Sequence, residues 1–344
     1  METLTIKTPA DVLSFIGHTL GFWPKESLVC VTIDTNRIGA TLRVDLPKHD
    51  TSAPAYARTV AGYLANDPNA TSALFALYTS AAPEHGQTKP YASMIAALTG
   101  ALAERNITIR DGLLVGDTTV SPYDDDPRLP DTLPLSMIDS SEINAELVYR
   151  GSAVAPTGRV TLPSSPKEMA TFDEVEDRVS SIGRSYNHRA IELARTLWAG
   201  ILEANTFPSD EQTATLIANF QFPAIRDQLM ADIPCVHGPM EQILLAQVPD
   251  KPEWSRVTWA EQVLLHAYTH SSTKHSAPLL TAIAYISWWE GRGSRAHQYL
   301  ELALEADPSY RLAKLSDQLI GYGMVAGWNM DKNTAYRMRG LDPS

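Results

Sequence analysis

The sequence predicts a mixed α/β domain followed by an all-helical domain, and three observations carry that expectation. Over residues 1–160, short apolar strands alternate with amphipathic helices, the pattern of a sheet covered by helices. The stretch "GSAVAPTGRVTLPSSP" then shifts the composition toward Pro, Ser and Gly and reads as a linker. From Phe172 onward, apolar residues recur at helical spacing almost without interruption. The expected domains are therefore 1–160 and 161–344.

Taken in order, "TLTI" reads as a short alternating strand. Thr8 before Pro9 opens a helix, with a capping hydroxyl followed by a ring whose missing N–H costs nothing there. Val12, Leu13, Phe15, Ile16 and Leu20 supply its apolar face, and Gly21 suits its C-terminal cap. "SLVCVTI" and "IGATLRVDL" form a hairpin around "DTNR", which makes the sheet mixed, and Pro47 ends it. "APAYARTVAGYLAND" is helical, "SALFALYT" a buried strand, and "YASMIAALTGALAERN" a long helix. "ITIRDGLLVGD" gives a further strand or pair of strands, and "SPYDDDPRLPDTLPL" a surface loop.

Beyond the linker, Phe172, Val175, Val179, Ile182 and Tyr186 make one helix face that continues through Leu193, Leu197 and Ile201. Ser209 and Gln212 have capping-box spacing. Further helices are expected near 223–231, 238–247, 257–270, 277–290, 293–306 and 309–321. In the last of these, Gly291, Ala296, Leu300, Ala303 and Pro308 match one tetratricopeptide-type unit. Gly turns the chain, small Ala residues let two helices approach, and Pro stops the second helix. No second copy follows, so the expectation is a single helical hairpin at about 277–321.

A net charge of −12 repels phosphate backbones and argues against general nucleic-acid binding. The hydrophobic fraction of 44% fits a folded protein. Cys30 and Cys235 are too few and too far apart for a disulfide framework, which points to a reducing, cytoplasmic setting. "METLTIKTPADVL" lacks the features of a signal peptide. The longest apolar stretch, "APLLTAIAYISWW", is too short to span a bilayer, so no membrane association is expected.

Three stretches, in order, carry a family resemblance: "TPADVLSFIGHTLGFWPKESLVCVTID…GATLRVDLP", "VYRGSAVAPTGRVTLP" and "APLLTAIAYISWWEGRGSRAHQYLELALEADPSYRLAKL". Together they resemble the domain of unknown function 4192 family of actinobacteria and their phages. The resemblance spans nearly the whole chain and implies this domain layout and host lineage, with no activity to carry over. Many members hold a Trp- and Cys-rich segment after the strand near residue 115. Here "TTVSPYDDDPRLPDTLPL" stands in its place, so metal or redox chemistry built on those cysteines does not apply.

Candidate site residues are few. His18, near the end of the first helix, could serve as a general base or ligand, or could simply complement the helix dipole. Arg43 and Asp45, two apart on a strand and close to Asp34, could clamp a ligand or form a solvent-side ion pair. His266 and His270 stand at i, i+4 with His275 nearby, a metal-ligand spacing without HExxH. Asp124, Asp125, Asp126 and Asp131 lack the spacing of a calcium loop. No phosphate-binding loop, dinucleotide fingerprint or nucleophile elbow is present, and no cofactor is expected. The leading expectation is a non-enzymatic binding or adaptor protein acting through its C-terminal helices. The alternative is an enzyme or small-ligand sensor using His18, Arg43 and Asp45 between the first helix and the first hairpin. Oligomeric state is not set by the sequence.

Overall fold

The computed structural model describes residues 5–35, 37–47, 53–81, 89–124, 132–150, 152, 154–156, 158–163, 171–322, 324–331 and 333–336. They form two compact units, one up to Gly158 and one from Arg159 to Tyr336. Asp125, Asp126 and Asp131 lie outside the described residues, as does the side chain of Phe172.

The first unit is a six-stranded sheet in the order β2-β1-β3-β4-β5-β6. Its strands are β1 (Ser27–Asp34), β2 (Arg37–Asp45), β3 (Ser72–Tyr78), β4 (Thr108–Val115), β5 (Thr119–Pro122) and β6 (Leu133–Pro134). Only β3 and β4 run parallel; a parallel pair needs a crossover, here supplied by α3 (Ala92–Ala103). Leu28 and Cys30 of β1 pack with α2 (Ala53–Leu64) and α3 on one face. Val29 and Val31 pack with α1 (Pro9–Leu20) on the other. A strand covered on both sides reads as the unbroken apolar run "LVCV".

At the N-terminus of α1, the Thr8 hydroxyl accepts from Asp11 N at 3.2 Å and Asp11 Oδ2 accepts from Thr8 N at 3.0 Å. This capping box also engages Lys7 N, so Thr5, Ile6 and Lys7 precede the helix as irregular backbone rather than as the expected strand. Thr3 and Leu4 lie outside the described residues.

Gly21 closes α1 at φ +78°. The chain then turns sharply: Trp23 N donates to Ala155 O at 3.1 Å and Ala155 N to Gly21 O at 2.9 Å. The Trp23 ring lies where a side chain on Gly17 would sit, and the Phe22 ring lies likewise over Gly158. "GHTLGFWP" is thus a helix-to-strand corner, with glycines admitting two aromatic rings.

Two elements depart from expectation here. The start of the Pro- and Asp-rich stretch is strand β5, paired antiparallel to β4, because Val120 is buried against that strand's apolar face. A helix α4 (Glu142–Tyr149) follows a short 3-10 turn (Leu135–Ser140), with Ser141 capping Asn144 N.

The second unit is helical: α5 (Thr171–Arg184), α6 (His188–Ala204), α7 (Asp210–Phe220), α8 (Pro223–Ala231), α9 (Met240–Leu244), α10 (Trp254–Thr269), α11 (Thr273–Trp289), α12 (Gly293–Ala306) and α13 (Arg311–Gly321). The single face expected from Val175 through Ile201 is broken at Asn187. Its side chain accepts from Ala190 N at 3.2 Å and starts a new helix, leaving Leu193 62% exposed. The Ser209–Gln212 capping box forms with both bonds, 3.0 and 3.3 Å.

Helix α11 is the centre of this unit's core and is buried along nearly its whole length. Pro278 inside it removes one backbone donor, and Gln221 Nε2 donates to the neighbouring His275 carbonyl at 3.1 Å. Every tryptophan of the unit gives its indole N–H to a backbone carbonyl, which lets these large rings be buried without an unmet donor. No helix among the described residues is long and apolar enough to cross a membrane.

Candidate functional site

The residues singled out by sequence fall in separate places. His18 is buried on α1, with Nε2 3.0 Å from Asn144 Oδ1 and Nδ1 2.8 Å from Ser152 Oγ. Both nitrogens are used when Nε2–H donates to the amide and Nδ1 accepts from the hydroxyl. A second bond between the same two helices joins the Ser141 hydroxyl to Asp11 Oδ1 at 2.8 Å. Burial pushes the Asp11 carboxyl upward, and its accepted hydrogen bonds outweigh that, leaving it below its ordinary value. His18 therefore belongs to a polar seam that fixes α4 on α1.

Arg43 and Asp45 pair with each other, and Arg43 Nε donates to Ser27 Oγ at 2.9 Å. Strand register sets Arg43 opposite Val29, on the α1 side of the sheet. Asp45 is 76% exposed at its side chain and Arg43 19%, so an open carboxylate at the rim meets a largely covered guanidinium. Among the described residues, no hydrogen bond or ion pair joins His18 to either of them.

His266 and His270 do share a helix face, with ring centroids 4.3 Å apart, but the contact is a tilted stack. Phe207 stacks on the far side of His266 at 4.9 Å. Burial and the neighbouring His270 lower the His266 pKa, against an opposing pull from Asp210. His270 Nδ1 donates to the His266 carbonyl at 2.9 Å. No group of three or more His, Cys, Asp or Glu side chains placed to hold a metal ion occurs among the described residues.

The arrangement with unspent surface lies elsewhere, among α11, α12 and α13. Leu245, Ala284, Tyr285, Trp288, Leu300, Leu319 and Ile320 line a shallow apolar pocket with a cavity volume of about 10 Å³, with the Ser316 hydroxyl in its wall. Along α13, Ala313 and Ser316 are buried and Ile320 lines the pocket. A second stripe, Leu312, Leu315, Leu319 and Tyr322, runs beside them at spacings of three and four residues. Leu319 belongs to both stripe and pocket. Leu315 is 50% exposed and Tyr322 81% exposed. Trp288 Nε1 donates to Met324 O at 2.8 Å and so seats exposed Met324 at the pocket's edge, next to exposed Val325. The spacing is visible in "RLAKLSDQLIGY", but sequence does not say which stripe the core takes.

A buried charge network, also unseen by sequence reasoning, ties the start of α12 to α10 and α11. Arg295 meets Glu261 at 2.6 Å, and Arg292 meets Glu290 at 3.0 Å. Arg292 lies over the Tyr336 ring and Arg295 over the Tyr299 ring, 5.2 and 5.6 Å to the centroids. Glu290 is held at about 7, chiefly by burial, with Glu261 pushing the same way and Arg292 and Arg295 opposing. Each guanidinium is matched to one acid, and the network locks the helices together.

No curated protein and no solved structure matches the chain. A family model described as Domain of unknown function (DUF4192) matches residues 9–325, from the first residue of α1 to the segment just beyond α13. That match spans both units, the corner and the pocket, and the chain belongs to this family.

Proposed function

We propose that the protein is a non-enzymatic binding or adaptor protein of the cytoplasm, as its host lineage in actinobacteria or their phages would suit, and that its helical unit offers an exposed apolar surface to a protein partner. The exposed apolar residues beside the small pocket among α11, α12 and α13 carry this reading. At about 10 Å³ the pocket is far smaller than the roughly 300–1,000 Å³ of sites that enclose a small-molecule ligand, and its wall is almost wholly apolar. Leu315, Leu319, Tyr322, Met324 and Val325 extend it across the surface, and clustered exposed apolar residues mark interaction sites. Gly291 at φ +78° and buried Ala296, Leu300 and Ala303 give α11 and α12 the makings of a tetratricopeptide-like hairpin, a unit often used to grip partners.

Point substitutions are the right probe, because α11 is core and deleting it would unfold the unit. A photo-crosslinking residue placed at Leu315 or Tyr322, and at Leu193 of α6 as control, is activated in expressing cells. Support consists of one adduct shared by positions 315 and 322, absent at 193, whose purified partner binds wild type at least about tenfold more tightly than Leu315→Asp. Adducts confined to position 193 would sink the proposal.

A further inference from the structure

We infer that the partner segment is an acidic amphipathic helix laid along α13. This rests on the binding reading above and adds the chemistry of what is bound.

The stripe Leu312, Leu315, Leu319, Tyr322 follows one face of an 11-residue helix, about 16 Å long at 1.5 Å per residue. A surface one helix wide and about three turns long is the shape that another helix covers, as in helix-in-groove recognition.

The flanks then fix the charge. On one side of the stripe lie the buried Ala313 and Ser316, facing the unit's own core. On the other lie Arg311, Lys314 and Gln318, all exposed. Neither Arg311 nor Lys314 makes an ion pair among the described residues. Lys314 shares its field with Asp307, whose carboxylate also accepts from the Ser309 amide and hydroxyl. Asp317, the acid on α13 itself, is taken by His297 from α12 at 2.5 Å. A helix resting on the stripe therefore meets two exposed cations along its outer edge. Carboxylates there gain pairing and basic residues meet repulsion, so charge selects the partner while the apolar stripe holds it.

The test uses the full chain and a displayed library of helix-biased peptides randomised at every position. The expected winners carry apolar residues at i, i+3 or i+4, and i+7, with Asp or Glu along one flank. Binding measured by fluorescence anisotropy should weaken about tenfold on Leu315→Asp. It should weaken about three- to tenfold on the double change Arg311→Glu and Lys314→Glu, with the loss shrinking at high salt. Basic or uncharged winners, winners indifferent to these substitutions, or no winners would overturn the inference. So would sedimentation showing self-association lost on Leu315→Asp, which names a second copy. Attachment to phosphatidylserine vesicles lost on the double charge reversal names a membrane and overturns it too. The two proposals fail separately: specific adducts at 315 and 322 with a partner helix that is not acidic keep the binding reading and remove this one.

Discussion

His18 Nε2 lies 3.0 Å from Asn144 Oδ1, so a residue of the first helix and a residue more than a hundred positions later share one buried hydrogen bond. With the Ser152 hydroxyl at 2.8 Å on the other nitrogen, the ring is spoken for at both ends. His18→Ala leaves both partners unmatched and opens a cavity. It should cost about 2–4 kcal/mol, whereas Arg43→Ala, which loses a bond to Ser27 and a pair with an exposed carboxylate, should cost about 1–2 kcal/mol. Urea denaturation of both variants checks the contrast, and equal losses would mean that the imidazole is not a structural post.

Glu290 makes stability depend on pH in a direction opposite to that of most carboxylates. Its folded pKa of about 7 lies above the ordinary 4.5, so the folded form holds the proton more tightly than the unfolded form. The resulting stabilisation is full below the ordinary value and is lost as pH rises through about 7. Glu290→Gln removes that loss, and the variant's stability relative to wild type should rise by about 2–3 kcal/mol between pH 5 and pH 8. His266 and His275, both lowered chiefly by burial, act in the other direction below their ordinary range and cancel in the comparison. A difference that does not change with pH would show that the carboxyl reaches water.

The two cysteines should report opposite states. Burial pushes the Cys30 thiol up to about 12, within a strand covered on both faces, while Cys235 is exposed. A disulfide-exchange reagent at neutral pH should modify Cys235 quickly in the native protein and Cys30 only after unfolding. Prompt reaction of both would mean that β1 opens readily.

One chemical change, glycine to alanine, should have opposite signs at two positions. At Gly17 the added methyl meets the Trp23 ring at the corner, and Gly17→Ala should cost about 1–3 kcal/mol. At Gly62, inside α2, nothing lies within 4 Å, and Gly62→Ala should stabilise by about 0.5–1 kcal/mol. Melting temperatures displaced in the same direction would refute the corner as described.

What was legible in the chain was whatever a few neighbouring residues decide. Thr8 with Asp11, Gly21 before the aromatic pair, and Ser209 with Gln212 each state a helix end within four residues, and each stands in the structure. Errors arose where local signals competed. The apolar face through Tyr186 continues in phase past Asn187, so the spacing alone does not reveal that its side chain starts a new helix. Strand β5 hides in a Pro- and Asp-rich run because only its pairing with β4 makes it a strand. The site was less legible than the fold. His18 was conspicuous, but Asn144 and Ser152, which occupy it, come from an element with no strong signal of its own. The pocket draws on four helical segments and the Glu290 network on three, so neither exists until the helices are packed.

The distribution of indoles has an optical consequence. Of the seven tryptophans, only Trp23 lies in the sheet-bearing unit; the others sit in the helical one. Trp254, Trp328 and Trp289 form a chain of edge-on rings, with centroids 6.1 and 5.6 Å apart. Ultraviolet emission from this protein is therefore a nearly private signal of the helical unit, with excitation passing among closely spaced chromophores before it is released. A spectrometer watching emission and one watching the backbone would follow different halves of the same chain, and the gap between their melting curves would measure how independently those halves let go.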